Sequence, residues 1–61
     1  MVGKRERFLK IYANLPINLR DEVVLVIHDQ PISWRVSYIE VFNNTKLGLE
    51  ILDKLDELMI I

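Results

Sequence analysis

Phe8, Ile11, Tyr12 and Leu15 recur at i, i+3, i+4 and i+7, and this spacing predicts an amphipathic helix over residues 4–15. Arg7, Lys10 and Asn14 fall on its opposite side, and Glu6 and Lys10 are spaced for an i,i+4 ion pair. Pro16 stops the helix, because proline disfavours helical geometry at the residue before it. Residues 16–21 then read as a connection with one tight turn.

The run Val23-Val24-Leu25-Val26-Ile27 is dominated by β-branched side chains and predicts a strand over about 22–28. It does not alternate with polar residues. Val23, Leu25 and Ile27 would face one side and Val24 and Val26 the other, so the strand wants apolar cover on both faces. Asp29-Gln30-Pro31 reads as the turn into a short second strand at about 32–34, which completes a β-hairpin.

Residues 33–42 carry two periodicities. Trp34, Val36 and Tyr38 alternate with Ser33, Arg35 and Ser37 as a strand would, while Trp34, Tyr38, Val41 and Phe42 also share a helical face with Ser33 as N-cap. The alternation fails after Tyr38, so a helix over about 34–43 is the reading adopted. Asn43-Asn44-Thr45 breaks the chain and caps a further helix over about 46–58. Gly48, Ile51, Leu52, Leu55, Leu58 and Met59 form its apolar stripe, with Lys46, Glu50, Asp53, Lys54 and Glu57 opposite. Gly48 within that stripe implies a close backbone approach, and Glu50 and Lys54 stand in the favourable i,i+4 order. The apolar end Leu58-Met59-Ile60-Ile61 is expected to dock on the core or on a neighbour. The expected fold is α+β: a hairpin packed with two or three helices in one small domain.

Composition sharpens this picture. Chains of 61 residues bury only about 60% of their unfolded surface and usually need disulfides, a metal, oligomerisation or dense packing. With no cysteine and one histidine, disulfides and the usual zinc sites are excluded. The hydrophobic share of 51% is high for so small a body. Together with a two-faced strand that has one short pairing partner, it leads us to expect a two-fold homodimer. The alternative is a monomer whose helices cover both faces of the sheet.

The net charge of −1 favours neither nucleic acid nor an anionic membrane. It is unevenly spread, with Lys4, Arg5, Arg7, Lys10 and Arg20 in the first part and Asp21, Glu22, Asp53, Asp56 and Glu57 later. No run reaches the roughly 18 apolar residues of a membrane helix, and no apolar stretch follows Met1-Val2-Gly3-Lys4-Arg5 as a signal peptide requires. A cytoplasmic location is expected.

Few residues suggest chemistry. His28 and Asp29 could form half of a metal site or an acid–base pair, but zinc needs at least three protein ligands and a solvated turn is the simpler reading. His28, Asp29 and Ser33 are the residue types of a hydrolytic triad, but Pro31-Ile32-Ser33-Trp34 is no nucleophile elbow. Lys4-Arg5-Glu6-Arg7 could touch phosphates, with Tyr12, Trp34 or Tyr38 stacking on bases, yet the acids Asp53, Asp56 and Glu57 make a poor surface for a groove of DNA. Trp34, Tyr38 and Phe42 at i, i+4 and i+8 are either a pocket wall or core. Asn43-Asn44-Thr45 matches a glycosylation acceptor but reads better as a helix cap, and Gly3 and Gly48 make no phosphate loop.

From Trp34 to Leu55, a Ser-Trp start, an aromatic helix, Asn-Asn-Thr and a Leu/Ile helix make a segment that resembles small uncharacterised proteins of archaeal genomes, whose function is unknown. It covers about a third of the chain and implies no activity, cofactor or site. No catalytic, cofactor-binding or metal-ligating residue is assigned. The expectation is a non-catalytic protein–protein interaction module, acting as a homodimer or a small accessory subunit. The alternative is nucleic-acid binding through the basic N-terminal helix.

Overall fold

The computed structural model describes residues 3–61, so Met1 and Val2 of the leader reading lie outside the described residues. The fold is α+β. Helix α1 (Lys4–Ala13) leads through a 3-10 turn (Ile17–Leu19) into strands β1 (Val23–Ile27) and β2 (Gln30–Ser33), then helices α2 (Trp34–Phe42) and α3 (Lys46–Glu57). α1 ends two residues before the expected position. Asn14 caps it, bonding Lys10 O with its side chain at 2.9 Å, and Leu15 closes a last turn on Tyr12 O.

The reversal between the strands lies at His28-Asp29 rather than at Asp29-Gln30-Pro31. Both residues adopt left-handed backbone, with φ of 52° and 64°. That pair of angles defines the two-residue turn whose twist suits a hairpin. Gln30 and Pro31 therefore belong to β2, paired with Ile27 and Val26. Pairs alternate between hydrogen-bonded and non-bonded along an antiparallel ladder, and the Val26–Pro31 pair next to the closing pair is a non-bonded one. Proline's missing N–H is not needed there. The register slips between Val23 and Leu25, which places a bulge at Val24.

Residues 34–42 are helical. Ser33 ends β2 and caps α2, its Oγ accepting from Val36 N at 3.1 Å. Asn44 ends α2 in left-handed backbone (φ 55°), with Asn44 N donating to Val41 O and Thr45 N to Glu40 O, a Schellman closure. Thr45 Oγ1 then caps α3 by accepting from Gly48 N at 3.0 Å. α3 closes the same way: Met59 (φ 60°) donates to Asp56 O and Ile60 to Leu55 O.

The core joins Phe8 and Tyr12 of α1, Leu25 and Ile32 of the hairpin, Val41 of α2, and Ile51, Leu52 and Leu55 of α3. Gly48 lies where α3 meets α2. A Cβ there would fall 2.8 Å from Glu40 C and still closer to Glu40 O, so the close approach read from the sequence is present. The stripe of α3 is buried only as far as Leu55: Leu58 and Met59 are exposed because the helix turns away at its cap. Ile61 packs back against the core.

Candidate functional site

Each strand of a two-stranded sheet has one unpaired edge. On β2 that edge carries Pro31, which cannot donate. On β1 it carries the Val26 amide and carbonyl, which point away from β2 by the ladder alternation. The two faces of the hairpin also differ. Leu25 and Ile32 are buried against the helices, whereas the opposite pair, Val26 and Pro31, is exposed, Val26 at 57%. Val24 is half-buried against the core, so the helices cover the Leu25–Ile32 face fully and leave the rest of the sheet exposed at Val26 and Pro31.

The aromatic stripe divides. Trp34 stacks with Phe8 (centroids 6.1 Å apart) beside the core. Tyr38 lies flat against Tyr12 at 4.4 Å, and Phe42, 55% exposed, tilts against Tyr38 at 5.6 Å. These rings, with Leu9 and Ala13 of α1 and Ile39 of α2, form an open groove of about 750 Å³ between the two helices. Arg20 and Arg35 stand in its wall. The Arg20 guanidinium carbon sits 4.6 Å from the Tyr12 ring centroid, an arrangement favoured by the ring quadrupole. Nothing in the local pattern marked Arg20, Ile39 or Ala13. The available signal was the composition of α2, where Trp34, Val36, Tyr38, Ile39, Val41 and Phe42 are more apolar positions than one buried face can hold.

Two basic residues of α1 are committed within the molecule. Lys4 Nζ binds Asp53 Oδ1 at 2.9 Å, and Arg7 binds Asp56 Oδ1 at 3.0 Å. The hydrogen bond and charge of Asp53 hold the Lys4 ammonium above its ordinary range. Arg35 and Asp21 make a further surface pair at 2.7 Å; the guanidinium lowers the Asp21 carboxyl below its ordinary value, and Asp21 raises Arg35 in return. The i,i+4 pairs Glu6–Lys10 and Glu50–Lys54 do not form among the described residues, because Glu50 turns to the hairpin tip.

There His28 Nε2 lies 3.0 Å from Glu50 Oε2, fastening the turn to α3. The structure does not assemble His28, Asp29 and Ser33: His28 is at the turn, while Ser33 is at the far end of β2 with its hydroxyl engaged as a cap. Among the described residues no three His, Asp or Glu side chains converge as a metal site. Asn43 caps α2, its amide donating to Ile39 O at 2.9 Å. No described helix is long and apolar enough to cross a membrane.

Compared with known proteins, the chain matches no family model, no curated protein and no solved structure.

Proposed function

We propose that the chain is a non-catalytic protein–protein interaction module that works as a homodimer, in the manner of a small accessory subunit, with β1 as the strand along which two copies meet. The observation that carries this reading is the open edge of β1 beside the exposed Val23 and Val26. Antiparallel pairing of β1 with a second copy would engage the outward Val26 amide and carbonyl; the strand itself carries no charged side chain from Val23 to Ile27, while Glu50, Asp53, Lys54 and Glu57 of α3 line the cleft beside Val26 and Ile27. An isologous contact of this kind closes on two copies. Proline excludes β2 from the same role, so the edge that remains is single and the assembly finite. Nucleic-acid binding by the N-terminal helix is weakened by the pairing of Lys4 and Arg7 with α3 carboxylates.

Light scattering behind a sizing column, run over a range of loading concentrations, tests the reading. The wild-type mass is expected to approach twice the 7.2 kDa chain as concentration rises. Val26→Lys, which places a charge on the edge without touching the core, is expected to hold the monomer mass with an unchanged circular dichroism spectrum. A wild-type protein of monomer mass at every concentration contradicts the proposal.

A further inference from the structure

We infer that the groove between α1 and α2 is a second interaction site, separate from the β1 edge, whose occupant is an acidic amphipathic helix of another protein. The groove is apolar along its length, floored by Tyr12, Tyr38 and Phe42, with Ile39 47% exposed beside them. Two neighbouring helices leave a furrow into which the ridge of a third helix packs, its anchors spaced at i, i+4 and i+7.

Charge selects the occupant. Arg20 and Arg35 stand at the start of α2, where Arg35 N donates to Arg20 O at 2.8 Å. Arg5 reaches the Phe42 carbonyl at 3.5 Å, seven residues and about 10 Å further along the same helix. Among the described residues, no carboxylate lies within ion-pair distance of Arg5 or Arg20, in contrast to Lys4 and Arg7. No acid lines the groove itself. Arg35 is held by Asp21, so a chain that is acidic overall presents Arg20 at one end of the furrow and Arg5 at the other without a carboxylate partner. Glutamates flanking the apolar face of an incoming helix complement them.

A second copy seated here in two-fold fashion would bring these arginines toward their own equivalents, which disfavours it. Single-stranded nucleic acid would need free ring faces for its bases. The Tyr12 ring is covered by Tyr38 and by the Arg20 guanidinium, so the floor does not offer such a platform.

The test is a titration of the isotopically labelled full chain, followed by amide shifts in two-dimensional nuclear magnetic resonance. Three synthetic helical peptides share one Leu/Ile/Phe face and carry Glu, Gln or Lys on the flanks. The Glu peptide is expected to shift the amides of Ala13, Ile39 and Phe42 and to bind about tenfold or more tightly than the Lys peptide. Phe42→Gln, at an exposed position, is expected to abolish the shifts, and Arg5→Gln with Arg20→Gln to erase the preference for Glu over Gln. Equal binding of Glu and Lys peptides overturns the inference, as does binding of none. Groove shifts that depend on protein concentration without peptide assign the furrow to a second copy and also overturn it. So do shifts of the same amides produced more strongly by oligothymidylate.

Discussion

The α2–α3 seam and the hairpin hide apolar side chains to different extents. At the seam, Gly48 lets two helix backbones approach within the reach of a single methyl group, and Val41, Ile51 and Leu55 are buried nearly completely. At the hairpin, one residue of the central pairs, Val26, stays more than half exposed, and the strand beside it has no neighbour on its far side. The difference follows from geometry. A helix has one stripe to bury and a second helix can cover it, whereas a strand presents two faces and an edge, and this chain supplies cover for one face. The seam holds the most fully buried side chains; the hairpin leaves an edge and Val26 exposed.

Substitutions should separate the two regions. Leu55→Ala removes a fully buried side chain and is expected to cost about 2–5 kcal/mol, enough to unfold a marginal domain in much of the population. Urea titration of the far-ultraviolet signal measures it. Gly48→Ala follows. Its gain in helix propensity, about 1 kcal/mol, is outweighed by the contact with Glu40 backbone atoms, for a net loss of about 1–3 kcal/mol in the same assay. Stabilisation by Gly48→Ala would show that the seam has room to spare. Val26→Lys should change monomer stability by no more than about 0.5 kcal/mol, because the side chain leaves no core contact behind.

The other end of α3 gives a gain of the opposite sign. Met59 is 89% exposed and holds left-handed backbone that glycine adopts without cost. Met59→Gly is expected to raise stability by about 0.5–1 kcal/mol. The smallest effect belongs to the surface pair between Arg35 and Asp21, close to where the chain enters β1. Asp21 titrates below its unfolded value in the folded chain, so its contribution is present above the unfolded pKa and is lost as pH falls through the folded one. Asp21→Asn should therefore lower stability slightly at neutral pH, flatten the acid side of the profile, and leave stability unchanged below the folded pKa.

Element order was legible in the sequence wherever one period dominated. The α3 stripe, the β-branched run of β1 and the role of Gly48 were each read from local spacing. Residues 34–42 carry two periodicities, and the helix read from the Ser33 cap and from the failure of alternation after Tyr38 is the one observed, with Tyr38 stacked on Tyr12. His28 and Asp29 read as a solvated turn, but its bounds were displaced because Pro31 looks like a turn residue when it occupies an edge position of β2. The α1–α2 groove was hidden for a different reason. It needs Arg20, Tyr12 and Phe42 together, and no local window contains them.

The outward Val26 amide of β1 is open in one molecule and, in the proposed dimer, is paired between two. Amide exchange at Val26, followed across protein concentration in the wild-type chain, tests it most directly. The account predicts slow exchange at high concentration and rapid exchange on dilution, while core amides such as Leu55 hold their protection. Rapid exchange at Val26 that does not change with concentration would contradict it.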